Sequence, residues 1–255
     1  MKENLLVFDK WCLDILVDPI TKQKASIENF KIINGVIDAR VFLKNTHGFK
    51  DWEVGQDEFE KCETSGTNYG NSVDAYKKEI EYDRPIYEHF KLKGDILDVG
   101  GLTGTLREFL NEGQRYISID PFIDGLSKTT LAKKKAYSCL SKPLNFIGGV
   151  AEFLPFQKNS FDYIHMRSML DHVQVPDLAL KEASRVLKTE GKLIVGLYVE
   201  GGKIGRKSIT RFSKDMIKEA LEFIGIDKYK DFHVWHPTHK NLLKLITDNG
   251  FNIQE

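Results

Sequence analysis

Apolar and polar positions follow two alternating periods over most of the chain. Ile96, Leu97 and Val99 make a short apolar run, closed by Gly100 and Gly101. Leu102, Leu106, Phe109 and Leu110 then recur at helical spacing until Asn111 to Gly113. This predicts a strand, a glycine turn and a helix over 96–110. Further strands are predicted at Tyr116 to Ile119 ending on Asp120, at Leu144 to Ile147, at Phe161 to Met166 and at Lys192 to Leu197. Pro176 opens a helix with Leu178, Ala179, Ala183, Val186 and Leu187 on one face. Helices are also predicted over Lys214 to Phe223 and, capped by Thr238, over the stretch carrying Leu242, Leu243, Leu245 and Ile246 up to Asn249-Gly250. Strands and helices alternating at these lengths give an α/β fold, a doubly wound and mostly parallel sheet covered on both faces.

Before this region the pattern changes. Residues 1–45 read as a small β-rich unit, in which Asn34-Gly35 breaks the apolar run from Phe30 to Ile37 and signals a hairpin. Residues 46–93 read as a connector and a lead-in helix. The connector, 46–72, is polar and contains Gly48, Gly55, Gly66 and Gly70. A loop of that length is often functional, so the connector is read either as a lid over the ligand or as a mere linker. A helix is expected from Val73 to Phe90, interrupted at Pro85. The main domain spans 94–255.

Charge and composition narrow the classes. Among 255 residues, 37 Lys and Arg balance 37 Asp and Glu, so no sequence-wide basic field argues for nucleic acid. Cys12, Cys62 and Cys139 have neither metal nor disulfide spacing, which favours a reducing compartment. No apolar run reaches the roughly 18–20 residues of a membrane span. The N-terminus soon meets Asp9, Lys10 and Asp14, so it lacks a signal-peptide core. The expectation is a soluble cytoplasmic protein with no membrane association.

In a doubly wound sheet the ligand lies beyond the carboxyl ends of the strands, where strand order reverses. Those ends carry Asp98-Val99-Gly100, Asp120-Pro121, the loop from Gly148 to Phe156, and His165 to His172. A nicotinamide dinucleotide would call for Gly-x-Gly-x-x-Gly to rest its pyrophosphate on a helix N-terminus. The turn here is Gly100-Gly101-Leu102-Thr103-Gly104, with Asp98 two residues ahead, so spacing and charge both disfavour a pyrophosphate. A carboxylate there suits a ligand carrying hydroxyls or a cationic group. Asp120 is placed to accept hydrogen bonds from ribose hydroxyls, or else to shape the turn before Pro121.

With these residues in view, the chain resembles the class I S-adenosylmethionine-dependent methyltransferases, close to the subgroup acting on small molecules. The first motif of that family is similar to "ILDVGGLTGTLREFL" and its ribose-binding motif to "YISIDP". "GGVAEFLPFQKNSFDYIHMRSMLDHV" resembles its adenine loop and fourth strand, and "ASRVLKTEGKLIV" the helix and fifth strand that follow. The resemblance implies a Rossmann-like fold with S-adenosylmethionine as cofactor and S-adenosylhomocysteine as product. It implies that Asp98, Gly100, Gly101 and Gly104 line the methionine end and that Asp120 and Pro121 meet the ribose. Ala151 and Glu152 would border the adenine, with His165 and Met166 beneath the sulfonium. The family has glycine where Leu102 stands and an acid where Val150 stands. These departures keep a non-catalytic binding or assembly subunit as the alternative to an enzyme. The family also adds one more antiparallel strand than Phe251 to Ile253 supplies, so the sheet is expected either to be short by one strand or to have that edge covered by a partner or a second copy.

At the N-terminus, "LDILVDPITKQ" and "INGVIDAR" resemble the zinc-ribbon-like domain of the tRNA-methyltransferase activator family. Asp18 and Thr21 stand where metal-binding members have cysteines, so no zinc is expected. For the transfer itself, to an oxygen or nitrogen of a small metabolite or sugar-containing acceptor, His172 with Asp171 beside it is the candidate base. His233, His236 and His239 straddle Pro237 and the Thr238 cap. No single helical face presents all three, and they are read as a loop near the site mouth rather than as metal ligands. The stretch from Gly201 to Lys207 reads as a flexible, basic loop, either merely solvated or fit to steer an anionic acceptor.

Overall fold

A computed structural model describes residues 5–46, 48–65, 72–202 and 233–254. The N-terminal residues supply β1 (Leu6–Val7), α1 (Lys10–Asp14) and the strands β2 (Lys31–Ile33) and β3 (Val36–Asp38). Asn34 and Gly35 both take positive φ, +51° and +80°, as a two-residue hairpin turn requires. Helices α2 (Phe49–Ser65) and α3 (Val73–Phe90) precede β4 (Asp95–Val99), β5 (Arg115–Asp120), α4 (Gly125–Lys128), α5 (Leu131–Ala136) and β6 (Leu144–Gly148). There follow β7 (Phe161–Arg167), α6 (Pro176–Val186), β8 (Leu187–Gly196) and α7 (His239–Asp248). No described helix is long and apolar enough to cross a membrane.

One sheet in the order β2-β3-β6-β5-β4-β7-β8 holds the molecule together, parallel throughout except for the β2–β3 hairpin. Strand order reverses at β4, with β5 and β6 on one side and β7 and β8 on the other. The open crevice of such a sheet lies at that reversal. Alternation along the strands builds two cores. Leu97, Val99, Ile117, Ile119, Ile164 and Met166 pack on one face with residues of α1 and α6. Ile96, Tyr116, Phe146 and Ile194 pack on the other with residues of α3 and α4. Asp98 shares the second face with Ile96. It pairs in register with Ser118 on β5 and His165 on β7, so a polar row crosses the sheet beneath α3.

The fold is the α/β, Rossmann-like arrangement expected, with local differences. The described residues 5–45 do not stand apart: β1 and β3 line up along the outer edge of β6, pairing Leu6 with Leu144 and Ile37 with Ile147. Most of the expected connector is helix α2. Helix α3 runs through Pro85 without a break, giving up only the bond that the missing N–H would have made. After the glycine turn comes a 3-10 turn, Thr105–Phe109, rather than an α-helix, because Gly104 at φ +72° and the extended Leu110 bound it tightly. Strand β8 begins at Leu187, earlier than Lys192. Phe251 to Ile253 is not a strand. The expected helix over Lys214 to Phe223, and the basic stretch beyond Gly202, lie outside the described residues.

Candidate active site

Beyond the carboxyl ends of β4, β5 and β7 lies a cavity of about 650 Å³. Its floor is the glycine turn. Gly100 has φ +78°, and a Cβ there would stand 2.9 Å from Met169. At Gly101 space alone decides: a Cβ would lie 2.5 Å from the Asp98 carboxyl carbon and 2.8 Å from the Ser118 hydroxyl. Gly104 lies off the cavity wall, where a Cβ would meet Arg107 and Leu144. Its part is the turn and the packing beneath it. Met166 is fully buried in the opposite core, because strand alternation turns it away while His165 faces the cavity.

Asp98 lies on the wall with both oxygens engaged. The His165 Nδ1 is 2.7 Å from Oδ1, and the Tyr116 hydroxyl donates to Oδ2 at 2.6 Å. On the far side of the ring, His165 Nε2 is 2.8 Å from the Tyr87 hydroxyl on α3. An ionised Asp98 can only accept, so Nδ1–H donates to it and, on a neutral ring, Nε2 is left to accept from Tyr87. Burial raises the proton affinities of the Tyr87 and Tyr116 hydroxyls, which keeps them donors. One turn away on α3, Asp83 pairs with Arg167 at the end of β7.

Asp120, only 4% exposed, sits on the wall at the tip of β5 beside Pro121. Its Oδ1 accepts from the Phe122 amide at 2.9 Å. Burial nevertheless pushes its pKa up to about 7. Val150 and Ala151 line the adjacent wall with Glu152, but the Glu152 carboxylate is already engaged. It accepts from the Gln174 and Val175 amides at 2.7 and 3.1 Å and so fixes the chain leading into α6. Burial raises its pKa and these amides pull it back. Leu102, at φ +26°, packs towards Gly125 in the second core.

Helix α2, in the segment read as a connector or lid, forms part of the wall. Trp52 Nε1 and Gln56 Nε2 donate to the His172 carbonyl at 2.7 and 3.3 Å, and Phe59 packs edge-on against the His172 ring at 4.2 Å. Asp171 is adjacent, its Oδ1 3.7 Å from His172 Nε2. His233 faces both residues, whereas His236 lies behind it and His239 opens α7. Among the described lining residues are seven carboxylic side chains but only two of Lys or Arg. Both cations are paired, Lys133 with Glu63 and Arg167 with Asp83. Arg107, near the glycine turn, is occupied by the Thr103, Gly104, Cys139, Lys142 and Pro143 carbonyls. A pyrophosphate would find no unpaired cation among these groups, whereas a cationic ligand meets an acid-rich wall.

This geometry accords with what the chain is similar to. Residues 97–195 match the family model described as a methyltransferase domain. The ubiquinone/menaquinone biosynthesis C-methyltransferase UbiE of Allorhizobium ampelinum is 30% identical over 173 residues, which are 62% of this chain and 64% of that protein. The protein of the same name from Rhizobium rhizogenes is 37% identical over 106 residues, 39% of this chain and 40% of that protein. The matches thus span less than two thirds of these curated relatives. The solved structure of a SAM-dependent methyltransferase from Thermotoga maritima superposes with a TM-score of 0.50 at 22% identity, covering 80% of this chain and 82% of that one. The chain has the methyltransferase fold, and the residues that match the methyltransferase-domain model include the strands whose tips form the cavity floor.

Proposed function

We propose that this protein transfers a methyl group from S-adenosylmethionine to a small hydroxylated, ring-bearing acceptor. The observation that carries the reading is the acid-rich cavity at the strand-order reversal, where every described lining Lys and Arg is already paired. S-adenosylmethionine supplies, when bound, a methyl group activated on positively charged sulfur. Asp120 is the acceptor for the ribose hydroxyls, the backbone of Gly100 and Gly101 lets the methionine end approach, and Val150 and Ala151 border the adenine. Leu102 lines the same cavity, with its side chain packed towards Gly125.

The acceptor side follows from the remaining walls. Trp52, Phe59, Phe109 and Tyr198 offer aromatic surface to a ring, and α2 shields the centre from water. His172, with Asp171 at its side, is placed to take up a hydroxyl proton. A hydroxylated ring can accept methyl at oxygen or at an adjacent carbon. The names of the two UbiE relatives specify carbon, which favours a quinol-like ring over a sugar. Calorimetry with S-adenosylhomocysteine tests the cofactor: micromolar binding is expected, and no binding favours a non-catalytic subunit instead. Incubation with S-adenosylmethionine and a panel of phenols and quinols, followed by detection of S-adenosylhomocysteine and NMR of the product, tests the acceptor.

A further inference from the structure

The geometry points to a site for a divalent transition metal at the mouth of the cavity, built from Asp171, His172 and His233. One ligand atom from each residue lies within 4.8 Å of the others. Asp171 Oδ1 is 3.7 Å from His172 Nε2, and Oδ2 is 3.6 Å from His233 Nε2. Those gaps are too long for hydrogen bonds. They run from the two different oxygens of Asp171 and are somewhat longer than the ~3.4 Å that separates neighbouring ligands around a tetrahedral ion with bonds of about 2.0–2.2 Å, so the three residues close in slightly on an ion held by one carboxylate oxygen.

A second observation concerns the carboxylate. Asp171 is 8% exposed, and its Oδ1 is buried with no hydrogen-bond partner among the described residues. A buried carboxylate oxygen in that condition calls for a cation. The cluster is also held in place from outside. Trp52 and Gln56 anchor the His172 carbonyl, the Val234 amide donates 2.8 Å to the Asp171 carbonyl, and Phe59 covers both rings. Segments distant in sequence converge on one point, which explains why the spacing of His233, His236 and His239 gave no sign of it.

Two imidazoles and one carboxylate form the donor set of open zinc and ferrous sites. All three residues line the cavity, so the remaining coordination positions face the acceptor space. On the methyltransferase reading, which this role presupposes, an acceptor hydroxyl oxygen takes one of those positions and releases its proton to water more readily. His172 is then a ligand rather than the base.

The site itself is tested without activity. Full-length protein is stripped with a chelator and titrated with zinc against a chromophoric chelator, and cobalt(II) loading is followed by visible absorption. One zinc per chain is expected, with at least about tenfold weaker binding in H233A and D171N and loss of the cobalt band in both. The folded state of each variant is checked by circular dichroism, and H233A carries the test if D171N fails to fold. Absence of zinc binding by the folded wild type, or equal binding by wild type and the folded variants, overturns the site. S-adenosylhomocysteine calorimetry on the same preparations keeps the two readings distinct. Loss of nucleoside binding with intact zinc binding removes the proposed function and leaves the metal site standing.

Discussion

At Asp120 a proton and a ligand compete for the same oxygens. Burial pushes this carboxyl up to about 7, well above the ordinary aspartate range. In the free protein the stability contributed by the protonated form is complete below that range and is lost as pH rises through about 7. Ribose hydroxyls need the ionised acceptor, so S-adenosylhomocysteine affinity is expected to rise between pH 6 and 8, by up to about tenfold for a group titrating at this pH. Asp120→Asn should flatten that profile in calorimetry and make unfolding stability less pH-dependent over the same range. Asp120→Ala should weaken binding by about 1–3 kcal/mol; an unchanged affinity would remove Asp120 from the ligand. Gly101→Ala probes space instead. Its Cβ would press on an Asp98 already fixed by His165 and Tyr116, so urea unfolding should report a loss of about 1–3 kcal/mol. The places of Asp98, Gly101 and Asp120 were legible because strand ends and glycine turns are written locally. Met166 was misplaced because adjacent strand residues face opposite sides, and motif position alone does not say which side holds the ligand. For Glu152, the sequence could not show that two amides of a distant segment had already engaged it.

Two helices convert the sheet edge into a site. Helix α3 is tied to the strand tips by Tyr87 on His165 and by Asp83 on Arg167, links between residues some 80 positions apart. Tyr87→Phe should cost about 1–3 kcal/mol in urea unfolding by leaving His165 Nε2 without its partner; a neutral effect would show that this bond does not hold α3 down. Helix α2 lies over the cavity through Trp52, Gln56 and Phe59, so hydrogen exchange across Phe49–Ser65 should slow on addition of S-adenosylhomocysteine. Unaltered exchange there would assign α2 to the scaffold alone. The polar sequence and Gly55 hid α2 from a reading by periodicity, since much of what stabilises it is contact with distant residues. The run through Pro85 was hidden for a similar reason: packing of Tyr76 and Tyr87 holds α3 on both sides of the proline.

At the scale of the molecule, the question is whether the first forty residues are an attachment or part of the fold. Their hairpin was written in Asn34-Gly35, but which strand it would join was not, because register with a distant strand has no local signature. The structure joins it to β6 and sets Cys12, Leu16 and Ile37, all fully buried, into the core beneath β5 and β7. Leu16 also bridges to Phe156, and Val17 donates to the Pro155 carbonyl at 3.0 Å, next to the loop that borders the cavity. Removing residues 1–40 would therefore expose the edge of β6 and open a hole under the ligand site. The truncated chain is expected to aggregate, or to lose its cooperative thermal transition in circular dichroism. A soluble, cooperatively unfolding fragment with the midpoint of the full chain would show instead that these residues are an independent module resting on a complete domain.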